Sequence, residues 1–166
     1  MRVDIYSRKA IEKLLQNDFP KNVAVISFYD PVNQRTGKRN KPVDYSLKTS
    51  RVFPIAIHDI DLEILPKYRL TYDTYFPEAN NLAEFIYSAY DEGIDIICQC
   101  EYGQSRSAAC AAAILEHFYH NGISIFADYR YYPNQLIFNK IFDALNSLKN
   151  TKQKNSMTKN EKQIGI

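Results

Sequence analysis

Residues 94–100, I-D-I-I-C-Q-C, constrain the fold more than any other stretch of this chain. They form a short, β-branched run of strand length that ends in a small loop with one glycine and one arginine. A run of small residues at helical length, A-A-C-A-A-A-I-L, follows at once. A strand feeding a tight loop and then a helix is the unit of α/β proteins, and the rest of the chain repeats it. V-D-I-Y (3–6) reads as a short strand, with Ser7 capping a helix through A-I-E-K-L-L-Q. N-V-A-V-I-S-F (22–28) is a buried strand followed by the turn-like Y-D-P, and R-V-F-P-I-A-I (51–57) is another that ends in H-D-I-D. Leu82, Phe85, Ile86 and Tyr90 stand at helical spacing after Pro77, with Gly93 just past the end. A last helix starts around Pro133 and carries Leu136, Ile137, Ile141, Phe142, Leu145 and Leu148. The expected architecture is α/β, a central, mostly parallel sheet flanked by helices, in a single domain over 1–148. From Lys149 apolar residues almost vanish, and a disordered basic tail is expected over 149–166. Residues 34–51 are polar and basic and read as a solvated loop without a period, whose cations could also steer an anionic substrate.

Composition narrows the function classes. The net charge of +2 shows no clustered excess of Lys and Arg, so no nucleic-acid partner is expected. Three cysteines, Cys98, Cys100 and Cys110, are too few and too close for a disulfide framework and fit thiols kept reduced in a cytoplasm. Three histidines lack the paired spacing of a zinc site, so neither metal nor cofactor is expected. His117 and His120 read as partly exposed helix residues. No apolar run is long enough to span a membrane, and the N-terminus has no apolar leader core. The expectation is a cytoplasmic monomer without a membrane partner.

The loop after the strand suits a tetrahedral dianion. In α/β sheets ligands sit at the carboxyl ends of strands, where the loop of Glu101, Tyr102, Gly103, Gln104 and Ser105 lies. Five residues between Cys100 and Arg106 can curl the backbone so that its N–H groups point inward, closed by a helix N-terminus. Gly103 permits unusual dihedrals and close approach, and Arg106 can place a planar fork on two ligand oxygens. The same positive field favours a cysteine's thiolate, so Cys100 is expected as a nucleophile toward phosphorus. Ser107 is placed to hydrogen-bond the sulfur and ease its departure. Tyr102 and Gln104 are expected at the mouth of the pocket. Cys98 and Cys110 read as packing residues.

Cys100-Glu-Tyr-Gly-Gln-Ser-Arg106-Ser107 resembles the phosphate loop of cysteine-dependent protein phosphatases, C-x-x-G-x-x-R-[ST]. The G-x-S-R-S ending and the small chain resemble the dual-specificity branch, over roughly residues 50–148. The resemblance implies a protein tyrosine phosphatase-like fold and metal-free hydrolysis of phosphate monoesters, on a phosphorylated protein or a small phosphomonoester. It also implies a general-acid aspartate at the end of the preceding strand. Asp59, directly at the strand end, is preferred, then Asp61; the gap to Cys100 is longer than small members usually have, which makes Asp73 a distant third candidate. Y-P-N-Q-L-I-F resembles the family's final helix, whose Asn braces the loop; here that is Asn134. The family normally has His before the cysteine. Gln99 stands there and is expected to shape the loop by bonding its backbone, leaving Cys100 less strongly activated but active. The segment 121–132 is short for the family, so a trimmed helix is expected there.

Three rivals remain open at this stage. A catalytically inactive module that binds a phosphorylated partner fits Gln99 and the unsettled acid. A rhodanese-type sulfurtransferase also sets a cysteine before a helix, but the upstream aspartate and Arg106-Ser107 argue against it. Phosphoinositide phosphatases carry extra basic residues in the loop, where this chain has Glu101 and Gln104.

Overall fold

The strands form one sheet because their apolar residues alternate between two faces that both need cover. This computed structural model describes residues 1–33 and 35–164. Four strands, β1 (Val3–Ser7), β2 (Val23–Tyr29), β3 (Val52–Ala56) and β4 (Asp95–Cys100), lie in the order β1-β4-β2-β3, all parallel. Their carboxyl ends therefore share one edge. Ile97 of β4 and Val23 and Val25 of β2 pack on one face with Ile11 of helix α1 (Arg8–Gln16) and Tyr45. Ile96, Cys98 and Cys100, with Ala24, Ile26 and Phe28, pack on the other. That second face is covered by α2 (Ala79–Asp91), α3 (Arg106–Tyr119) and α5 (Gln135–Ile164). Helix α3 is fully buried from Ala108 to Ile114, and its alanines let it sit close to the sheet with α5 against its outer side.

Most elements lie where the sequence reading puts them. The Ser7 hydroxyl accepts the Ala10 N–H at 3.1 Å, as a helix cap should. A four-residue α4 (Ile123–Phe126) is what stands in the short segment after α3. Three features differ. A 3-10 helix at Leu62–Tyr68 follows H-D-I-D. The basic loop turns back on itself, Val32 bridging Arg39, with the Asn33 carboxamide accepting the N–H groups of Arg35 and Thr36. Helix α5 runs to Ile164, past Leu148, where a disordered tail was expected; residues 165 and 166 lie outside the described residues. No glycine or proline interrupts 149–164, and Lys152 anchors the extension on Asp91 (3.0 Å) and over the Tyr87 ring.

His117 is buried, not partly exposed. Its Nδ1 meets the Asn146 carbonyl oxygen of α5 at 3.0 Å, which can only accept, so Nδ1 donates. Its Nε2 then accepts from the Tyr87 hydroxyl of α2 at 2.7 Å. Burial lowers its pKa, with Asn146 opposing. All three cysteines are free and buried. Burial, with Cys110 next in importance, pushes the Cys98 thiol up, in keeping with packing. No helix among the described residues is long and apolar enough to cross a membrane.

Candidate active site

Cys100 is the last residue of β4 and pairs in register with Ser7, the last residue of β1. The Arg8 N–H donates to the Glu101 carbonyl at 3.1 Å, so the loop leaves the sheet pinned to the β1–α1 junction. Gly103 sits at φ +68°, and a Cβ there would stand 2.6 Å from Ser7 N and 2.9 Å from Tyr6 C. Dihedral and space both require glycine. On the far side the Tyr132 N–H donates to the Gln104 carbonyl at 2.9 Å. Ser105 stands at the N-cap of α3, but its hydroxyl donates to Asp59 Oδ1 at 2.8 Å instead of capping. The first amides of α3 are thereby left without a side-chain acceptor, at the positive end of the helix dipole.

Cys100 Sγ lies 3.0 Å from Ser107 Oγ inside the same loop. Arg106 is only 3% exposed, and its Nη1 donates to Asp30 Oδ1 and to the Ile57 carbonyl, both at 2.8 Å. Nη2 reaches Asp30 Oδ2 at 3.4 Å. The Nε–H is buried without a hydrogen-bond partner among the described residues; Asp59 Oδ2 stands 3.9 Å away, too far for a hydrogen bond. Leaving a buried donor of a charged group unpaired costs about 1–3 kcal/mol or more, so such a group calls for an acceptor that arrives from outside.

Asp59 is the candidate acid that lies at the loop. Its Oδ1 accepts from Ser105 and from Asn134 Nδ2 (2.9 Å), leaving Oδ2 as the oxygen without a hydrogen bond among the described residues. Asn134 also donates to the Ile60 carbonyl at 3.0 Å and accepts the Ile137 N–H at 2.9 Å. It therefore caps α5 and holds the Asp59 segment, reaching the loop of residues 101–106 through Asp59. Asp61 is exposed at the start of the 3-10 helix, without a side-chain cap bond. Asp73 lies with Lys140 and Asp143 around a separate cavity of about 200 Å³. Glu101 is half-exposed, and Tyr102 is exposed at the mouth.

Gln99 does not bond the loop backbone. Adjacent strand residues face opposite ways, so it points to the α1 side of the sheet. There its Oε1 accepts from Ser27 Oγ at 2.6 Å and from the Tyr45 hydroxyl at 3.2 Å. Burial raises the Tyr45 phenol, with Ser27 opposing, which keeps it a donor.

Two residues join the site that sequence reasoning passed over. Asp30 follows β2 at the shared strand edge and holds the Arg106 fork; its only sequence signal is a carboxylate at a strand's carboxyl end. Tyr75 is buried and donates to the His58 carbonyl at 2.7 Å, bracing the residue before Asp59. Burial, with the Asp59 carboxylate next, raises its pKa against the effect of Arg106. A lone tyrosine in a loop gives no such signal.

No protein-family model matches the chain, and no curated protein matches it by sequence. Solved structures do match. PTPMT1 in complex with PI(5)P is 12% identical with a TM-score of 0.50, over 91% of this chain and 94% of that one. PTPMT1 solved in another crystal structure is 14% identical with a TM-score of 0.50, over 92% and 95%. Human DUSP28 is 14% identical with a TM-score of 0.48, over 90% and 94%. The chain has the protein tyrosine phosphatase fold. At these identities the likeness speaks for the fold alone, and the chemistry has to be argued from the side chains.

Proposed function

We propose that this protein hydrolyses phosphate monoesters through a cysteinyl-phosphate intermediate, as a phosphatase of the dual-specificity type. The observation that carries the reading is the buried Nε–H of Arg106, without a hydrogen-bond partner among the described residues, in the same loop as Cys100 and beside the uncapped amides of α3. A phosphoryl group seated there accepts from Arg106 and from the loop amides of residues 101–106. The Cys100 thiolate attacks phosphorus and the bond to the ester oxygen breaks, while Asp59 delivers a proton to that oxygen. Water then attacks phosphorus, gives its proton to Asp59, and the sulfur–phosphorus bond breaks. Ser107 donates to the departing sulfur, at the 3.0 Å contact already present. Asp30 holds Arg106 from the opposite edge throughout, and Asn134 and Tyr75 hold the Asp59 segment. Protein phosphoesters and small phosphomonoesters are both substrates such a site accommodates.

Hydrolysis of an aryl phosphate in EDTA tests this directly. Turnover is expected for the wild type and is lost in Cys100→Ser. A wild type inert toward aryl phosphate, whose melting temperature tungstate still raises, would instead make the chain a phospho-ligand-binding module.

A further inference from the structure

The segment that carries Asp59 is a loop closed on itself. It leaves β3, runs out through the 3-10 helix at Leu62–Tyr68 and returns, and the Tyr75 hydroxyl ties its far end to the His58 carbonyl at 2.7 Å. Leu65, Tyr75 and Phe76 are buried under it. Phe76 holds a φ of +62°, which a bulky side chain adopts only where surrounding contacts fix the backbone.

Tyr72 fastens this loop to α5 by three of its groups. Its hydroxyl donates to Asp143 Oδ2 at 2.8 Å, and its carbonyl accepts from Lys140 Nζ at 3.0 Å. The same ammonium lies 4.7 Å from the centre of the Tyr72 ring. Lys140 and Asp143 share a helix face, so one stretch of α5 supplies all three contacts. Burial raises the Tyr72 phenol to about 12, with the Asp143 hydrogen bond adding to it, which keeps the hydroxyl a donor near neutral pH. The N-cap of the same helix is Asn134, which holds Asp59 Oδ1 and the Ile60 carbonyl. From Asn134 to Asp143 a helix advances about 13 Å at its rise of 1.5 Å per residue. One helix therefore grips the acid-bearing loop at two separated points, near Asp59 and at Tyr72.

We infer that Tyr72, through Lys140 and Asp143, is a positioning residue for the general acid: it mounts the Asp59 loop on α5 so that Oδ2 is held at the reacting group. The inference rests on the reading of Cys100 as nucleophile and Asp59 as acid. Held at Asn134 alone, the loop can swing about that point, and Asp59 then spends less time in place. The loss falls on esters whose leaving group needs a proton. Phenolate departs with one from the acid, whereas dinitrophenolate, a far weaker base, departs without it. Because kcat/KM covers the steps up to that departure, and the attack of water comes later, it isolates the effect.

The test measures kcat/KM on phenyl phosphate and on dinitrophenyl phosphate for wild type, Tyr72→Phe and Tyr72→Phe/Lys140→Met, each also combined with Asp59→Asn. A misplacement of about 1 Å costs up to roughly 10²-fold, so partial loosening in the double variant should cost about tenfold on phenyl phosphate. Tyr72→Phe keeps its ring beside the ammonium and should lose less, and Lys140→Arg should stay near wild type. Dinitrophenyl phosphate should change by less than about twofold, and neither Tyr72 variant should lose more once Asp59 is replaced. Equal losses on the two esters, losses that multiply with that of Asp59→Asn, or no loss at all would overturn the role. If the double variant does not fold, Tyr72→Phe carries the same comparison. If Asp59→Asn leaves phenyl phosphate turnover intact, the acid lies elsewhere and Tyr72 loses its role while the phosphatase stands. If the wild type turns over neither ester, the phosphatase reading itself fails, and the role of Tyr72 falls with it.

Discussion

At the scale of single residues, the site depends on groups that have one job each. Asp59 is expected to act as acid through Oδ2, the oxygen without a hydrogen bond. Asp59→Asn keeps the Ser105 contact but cannot deliver a proton, so kcat should drop by roughly 10²–10³-fold. Asp61→Asn should leave kcat nearly unchanged; the opposite pattern would reassign the acid. Asp30 acts through Arg106. In Asp30→Asn a neutral amide can still accept at Nη1, but the ion pair is gone, and KM for aryl phosphate should change more than kcat. Gly103 tests the backbone. In Gly103→Ala the new methyl meets Ser7 N at 2.6 Å at a φ of +68°, so about 2 kcal/mol or more of stability should be lost along with turnover, as urea denaturation would show. Of these residues Cys100, Arg106 and Gly103 were placed together as candidates by the sequence, because one short loop holds all three. Asp30 was not: it meets Arg106 from 76 positions away, and only the pairing of β2 beside β4 brings them together.

Among the elements, α3 links the site to the rest of the core. Its first turn follows the loop after Cys100, and its last turn carries His117 between Tyr87 of α2 and Asn146 of α5. The strand and helix order was readable because short β-branched runs of strand length alternate with apolar residues at helical spacing along the chain. The solvated reading of 34–51 missed the turn at Val32–Arg39, since its order comes from the Asn33 carboxamide and from backbone bonds such as the Asn33 N–H to the Lys38 carbonyl, and carries no apolar period. His117 was misread as partly exposed because a histidine late in a helix looks like a polar rim; its partners come from two other helices. It also gives a pH dependence whose sign follows from the geometry. Burial lowers its pKa below the ordinary 6.5, so the unfolded chain binds the proton more readily. The stabilisation from neutral His117 is complete above about pH 6.5 and is lost as pH falls through its lowered value in the folded chain. Urea denaturation at neutral and mildly acidic pH should show this loss for wild type and a smaller one for His117→Gln. Equal losses in the two proteins would mean that other groups set the acid sensitivity.

For the molecule as a whole, the parallel sheet places every strand's carboxyl end on one edge, and the loop from Glu101 to Arg106 is tied into that edge from several sides. Arg8 and Gly103 bind it to the β1–α1 junction, Tyr132 to the chain before α5, and Arg106 to Asp30 after β2 and to Ile57 after β3. An anion in the loop is therefore expected to stabilise the fold as a unit. Tungstate at a hundred times its dissociation constant adds about 2.7 kcal/mol, which for a chain of this size raises the melting temperature by roughly 5–10 °C. The increment should be retained in Cys100→Ser, whose loop still binds, and should largely disappear in Arg106→Ala, which removes the buried donor. An equal shift in Arg106→Ala would mean that tungstate binds elsewhere on the surface. The buried Nε–H would then need another explanation, and the proposed chemistry would lose its main support.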